Sequence, residues 1–129
     1  MNGPDLHDHA KAHAETLPGS ALEHPFGPDW EVYKVRGKVF MLLTAITGPE
    51  IVILKASPEN SKALQQTYTA ITPGYHMNKK HWITVAPNNE LSQGLLNDLI
   101  TDSYLLVVDK LPRARRPVNT STYGQKSSE

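Results

Sequence analysis

The sequence predicts an α+β fold: an antiparallel sheet covered on one face by N- and C-terminal helices. Three observations carry this. Three β-rich segments, at residues 30–36, 38–46 and 51–55, are joined by connections too short for a crossover, which makes them antiparallel neighbours. Segments with helical spacing stand at both ends of the folded region. The apolar arc of the last one, over residues 92–108, is wide enough that it must bury itself against something.

The first helix is read over residues 4–16. Leu6, Ala10, Ala14 and Leu17 fall on one face, Pro4 suits an N-terminal position, and Pro18-Gly19 stops the helix. SALEHPFGPD then reads as a loop because of its prolines and glycines, with Phe26 expected to be a buried plug. WEVYKVR and KVFMLLTAI are strands, and Arg36-Gly37 between them suits a two-residue hairpin. Thr47 to Glu50 turns the chain into a third strand. Ser57-Pro58-Glu59 is a strong helix start, with Ser57 as cap and Glu59 complementing the helix dipole. That helix runs to Thr67, with Ala63 and Leu64 expected as its core contacts. WITVA at 82–86 reads as a fourth strand. Ser92 caps the last helix, and Leu91 and Leu96 are placed as a hydrophobic staple. The element order is α-β-β-β-α-β-α. One domain over residues 1–116 is expected, followed by a disordered polar tail over 117–129.

Composition narrows the function. Thirteen Lys and Arg balance thirteen Asp and Glu over 129 residues, so the formal charge is zero and a polybasic protein is excluded. Without cysteine there is no disulfide framework, thiol nucleophile or thiolate metal site. No apolar run is long enough to cross a membrane, and MNGPDLHDHA lacks the pattern of a secretion signal. A cytoplasmic monomer that binds no cofactor and no membrane is expected.

Several residue groups are candidates for chemistry. His9 and His13 are four apart on the first helix, but no third metal ligand is evident, so no metal is expected there. His24, His76 and His81 are candidate bases that Asp29 or Glu23 could orient. No G-x-S-x-G, phosphate loop or H-E-x-x-H accompanies them, and Ser103 lies inside a helix, where it packs or bonds to backbone. Catalysis is therefore not expected.

Tyr75-His76-Met77-Asn78-Lys79-Lys80-His81-Trp82 mixes cations, aromatics and an amide. Lys79 and Lys80 can neutralise phosphates, Asn78 can bond a base edge or a phosphate, and Tyr75 or Trp82 can stack on a base. The other reading is a loop whose aromatics plug the core while its lysines are solvated. A second cluster, Lys110 with Arg113, Arg115 and Arg116, contains no acid. It reads equally as a phosphate-binding arm or as a solubilising helix end.

LPG (17–19), HPFGPDW (24–30), VRGKVF (35–40), TPGYHMNKKHW (72–82), DSYLLVV (102–108) and the following LP occur in an order that resembles the MmcQ/YjbR family over residues 6–112. The resemblance implies a CyaY-like fold, the architecture of bacterial frataxin homologues. It also implies DNA binding in a double-wing mode, with no enzymatic activity to carry over. Ser92 departs from the family pattern, which often has proline there, but a capping serine opens the helix equally well. The leading expectation is a small DNA-binding protein that contacts phosphates through Asn78, Lys79, Lys80 and His81, with Arg113, Arg115 and Arg116 helping. The alternative is a protein- or small-ligand-binding module that uses a groove near His24, Asp29, Tyr75 and His76. Iron handling ranks last, because the first helix offers only Asp5, Asp8 and Glu15 as hard ligands.

Overall fold

A computed structural model of the chain describes residues 1–123. Helix α1 (Gly3–Glu15) leads into strands β1 (Ser20–Glu23), β2 (Trp30–Val35), β3 (Lys38–Thr44) and β4 (Ile51–Lys55). Helix α2 (Pro58–Thr67), strands β5 (Ile71–Pro73) and β6 (Trp82–Val85), helix α3 (Gln93–Asp109) and a 3₁₀ turn at Arg113–Arg115 complete it. The six strands form one sheet in the order β1-β2-β3-β4-β6-β5, and every neighbouring pair is antiparallel. The predicted α+β class and the four predicted strands are all present.

Local chemistry explains the boundaries. Val35 pairs with Lys38 across Arg36 (φ 50°) and Gly37 (φ 80°), the two left-handed residues of a type I′ hairpin. Asn2, Ser57 and Ser92 each accept a hydrogen bond from the backbone N–H three residues on, which caps α1, α2 and α3. Leu91 and Leu96 are both buried, as a staple requires.

Helices α1 and α3 cover one face of the sheet. Leu6, Ala10 and Ala14 from α1 and Leu96, Ile100 and Tyr104 from α3 meet Tyr33, Phe40, Leu43, Leu54 and Ile83. Each fully buried side chain of Leu or Ile size contributes about 1.5–3 kcal/mol, so α3, with seven buried residues, anchors the sheet far more firmly than α2. Ser103 fastens α3 further. Its hydroxyl donates to the Phe40 carbonyl (2.6 Å) and accepts from the Lys55 N–H (2.8 Å), the backbone bonding expected of it.

The second face carries a smaller cluster of Val32, Leu42, Ile53 and Trp82. Tyr75 and Met77, from the connection between β5 and β6, pack against it. Thr84 fixes that connection by accepting from the Tyr75 N–H (2.9 Å) and donating to the Pro73 carbonyl (3.0 Å). Gly74 permits the close approach, since a Cβ there would lie 2.5 Å from Trp82 Cβ.

Four expectations are corrected. Ser20–Glu23 is an edge strand rather than loop, and Ile71–Pro73 is another; both are short and largely exposed, so neither shows apolar alternation. Phe26 is not a buried plug but is 63% exposed. Helix α2 turns Ser61, Leu64 and Tyr68 inward, leaving Ala63 exposed, because it packs at the β5 edge of the sheet. Residues 117–123, read as the start of a disordered tail, lie against the domain. Val118 and Tyr123 pack on the core, with the Tyr123 ring 6.1 Å from Tyr104. The remainder of that predicted tail, 124–129, lies outside the described residues.

Candidate nucleic-acid interface

Strand register sorts the charges. The hairpin at Arg36-Gly37 marks one end of β2 and β3. Met41 pairs with Leu54 and Lys55 with Trp82, so the end of β4 and the start of β6 lie at that same end. The His81 carbonyl accepts from the Ala56 N–H (2.9 Å), which holds the lysines just before it there too. Helix α3 finishes at this end as well, since Arg36 Nε donates to the Arg115 carbonyl (3.0 Å). Arg36, Lys38, Lys55, Lys79, Lys80, Arg113 and Arg115 therefore share one end of a protein with zero formal charge. Asp29, Glu50 and Glu90 sit at the other end, with Asp5 and Asp8 on the first turns of α1.

Among the sequence candidates, Lys80 and His81 are exposed. Lys79 is exposed as a residue, while its Nζ donates to the Gly74 carbonyl (2.9 Å) and keeps further donor capacity. Asn78 is partly consumed by the fold: its Oδ1 accepts from the Lys80 N–H and its carbonyl from the His81 N–H. Arg116 serves α3, its guanidinium donating to the carbonyls of Leu111 (2.9 Å) and Asp109 (2.8 Å). Arg113 and Arg115 stand exposed beside it. The sequence reading missed Lys62, which lines a groove of about 380 Å³ with Gln65, Gln66, Lys79 and Lys80. Only the packing of α2 beside the 74–81 connection reveals that trio of ammonium groups.

The aromatics divide between the two readings. Trp82 is 8% exposed, with Lys55 Nζ 5.6 Å above its ring, so it is core and not a stacking surface. Tyr75 lies near-parallel to Trp30 (10°, centroids 6.4 Å apart), and Phe26 meets Trp30 edge-on. His76 adjoins Tyr75 at 4.1 Å and adopts φ 59°, a strained conformation for a residue other than glycine. His24 is exposed in the same β1–β2 connection as Phe26. Asp29 instead lines a separate cavity of about 350 Å³ with His7, Glu31 and Glu50. Of the four residues of the expected groove, Tyr75 and His76 are in contact, while Asp29 lines the cavity with His7.

Between α1 and α3, His13, Asn97, Asp98 and Asp102 line a cavity of about 680 Å³. His13 Nε2 lies 2.7 Å from Thr101 Oγ1, so this pair links the two helices. Burial lowers the His13 pKa against the opposing pull of Asp98. Desolvation and then Asp98 raise that of Asp102. Among the described residues no three His, Asp or Glu side chains converge with metal-binding geometry, and no helix is long and apolar enough to cross a membrane.

Comparison with known proteins supplies the family. The YjbR family model matches residues 15–106. An uncharacterised Escherichia coli O157:H7 protein, YbdF, is 50% identical over 113 residues, covering 88% of this chain and 93% of the relative. The uncharacterised YjbR of Escherichia coli K12 is 32% identical over 90 residues, 68% of this chain and 76% of that one. The crystal structure of Deinococcus radiodurans DR2400, a DUF419 domain, superposes with a TM-score of 0.82 at 32% identity, over 93% of this chain and 94% of the other. The matched segment includes the hairpin, the 72–82 motif and most of α3, so the chain belongs to the YjbR family.

Proposed function

We propose that this protein binds nucleic acid by its phosphates through the basic end of its sheet, by recognition rather than catalysis. The observation that carries this is an excess of positive charge: a neutral chain whose register gathers seven cations at one end, against Glu59 and Asp109 there, presents a local positive field. Lys79, Lys80 and Lys62 form one arm of that surface, and Arg113 and Arg115 with Arg36 form the other. Arg116 and Asn78 shape the surface by holding α3 and the 74–81 connection in place.

The test is a salt titration of affinity by fluorescence anisotropy. Each phosphate contact on duplex DNA contributes about 0.9 to the slope of log affinity against log salt. Replacing Lys79 and Lys80 by Ala should weaken binding and flatten the slope by up to about two units. The loss should be the same for unrelated sequences, because phosphate contacts carry no sequence information. Replacing Asp5 and Asp8 by Asn, at the opposite end, should change little. No micromolar binding at about 50 mM salt, conditions in which phosphate contacts are strong, refutes the reading.

A further inference from the structure

We infer that the preferred ligand is single-stranded nucleic acid, its bases stacked on Trp30, Tyr75 and Phe26 across the sheet face opposite α1 and α3. This rests on the phosphate-binding reading and adds the strand type to it. No helix residue packs in that face's cluster; its core of Val32, Leu42, Ile53 and Trp82 is buried, and the half-buried Trp30, Tyr75 and Met77 form its outer layer. Phe26 is 63% exposed at its margin, edge-on to Trp30, and the half-buried rings of Trp30 and Tyr75 lie near-parallel to each other with centroids 6.4 Å apart. A paired duplex shows its groove edges, whereas a single strand presents base faces to rings of this kind. Lys55 projects from the same face above Trp82, toward the basic end, so a strand lying along the face brings phosphates to cations while its bases meet the rings. His76, held against Tyr75 in a left-handed conformation, fixes that ring's surroundings. The complementarity of a polyanion with unpaired aromatic bases to this face selects the single strand as the occupant.

The experiment compares a labelled oligo-dT of about 15 nucleotides, near the upper site size of one binding domain, with a duplex of the same length. The single strand should bind at least about tenfold more tightly and quench Trp30 emission. Phe26→Ala and Tyr75→Leu should each weaken it about 5- to 150-fold, the loss of one stacked base, and leave the salt slope unchanged. Trp30→Phe should remove most of the quenching, since Trp82 is buried. Thermal melts establish that each variant folds, and exposed Phe26 provides a substitution with little cost to the fold. Equal or tighter duplex binding, or variants that keep full affinity, overturns the inference while the phosphate reading stands. No binding of either probe refutes both. A Phe26-dependent dimer that binds neither oligonucleotide assigns the face to a second copy and likewise overturns the inference.

Discussion

Ser103→Ala should be among the most damaging small substitutions in this protein. The β3–β4 ladder ends at the Met41–Leu54 pair, and the register shift against β2 leaves Phe40 out of the pairing, so the Phe40 carbonyl and the Lys55 N–H form no rung of their own. The Ser103 hydroxyl satisfies both backbone groups, at 2.6 and 2.8 Å. Ser103 and Phe40 are 0% exposed, so water does not replace the lost partner without opening the core. A buried polar group left unpaired costs about 1–3 kcal/mol. The Phe40 carbonyl bears that in full and the half-buried Lys55 N–H bears part of it, giving about 2–4 kcal/mol. At about 2.1 cal/mol/K per residue, a chain of this length has an unfolding entropy of about 0.27 kcal/mol/K, so Tm should fall by about 7–15 °C. Urea unfolding should show a lower midpoint with an unchanged slope. Ser61→Ala is the control. Its hydroxyl accepts from the Gln65 amide at 2.9 Å, a side chain able to turn to water, so the loss should stay below about 1 kcal/mol. If Ser103→Ala costs under about 0.5 kcal/mol, the strands have closed their own rung and the hydroxyl bridge is not what joins α3 to the sheet.

Three further outcomes follow from the packing. Deleting residues 118–129 should cost about 1–3 kcal/mol because Val118 and Tyr123 leave the core; a loss within error in a urea titration would return those residues to the role of a free tail. Gly74→Ala drives a Cβ to 2.9 Å from the Trp82 carbonyl oxygen, so it should lower Tm and weaken oligonucleotide binding together; unchanged affinity would separate the 74–81 connection from the binding surface. Burial depresses the folded pKa of His13, so the neutral ring is stabilised in the fold. Stability is complete above the unfolded value of 6.5 and falls as pH drops below it toward the lower folded pKa. The stability difference between wild type and His13→Gln should shrink between pH 7.5 and about 5, and a constant difference would refute the assignment.

Local rules were enough to write most of the secondary structure. Ser57 and Ser92 announce their helices by capping chemistry, and Arg36-Gly37 announces a hairpin because its turn demands left-handed residues. The stripes of α1 and α3 declare their buried faces by period. These signals are local, so one chain suffices to read them. β1 and β5 escaped because short edge strands are defined by the partner they pair with, and Ser20–Glu23 has almost nothing to bury. Phe26, expected as a plug, is exposed for the same reason. An aromatic residue announces that it can be buried, and only the three-dimensional neighbourhood decides whether space is found for it.

The candidate interface divides along that line. The sequence by itself identified the two clusters at 79–81 and 113–116, because each is contiguous. It did not reveal that Arg36, Lys38, Lys55 and Lys62 join them, nor that Arg116 and Asn78 spend their polar atoms on the fold. Those outcomes depend on register and on where helices end. Pairing Lys55 with Trp82 and bonding Arg36 to the Arg115 carbonyl bring together charges dozens of residues apart. Net charge is a sum over the chain, whereas a field depends on position, and position is set by tertiary structure alone.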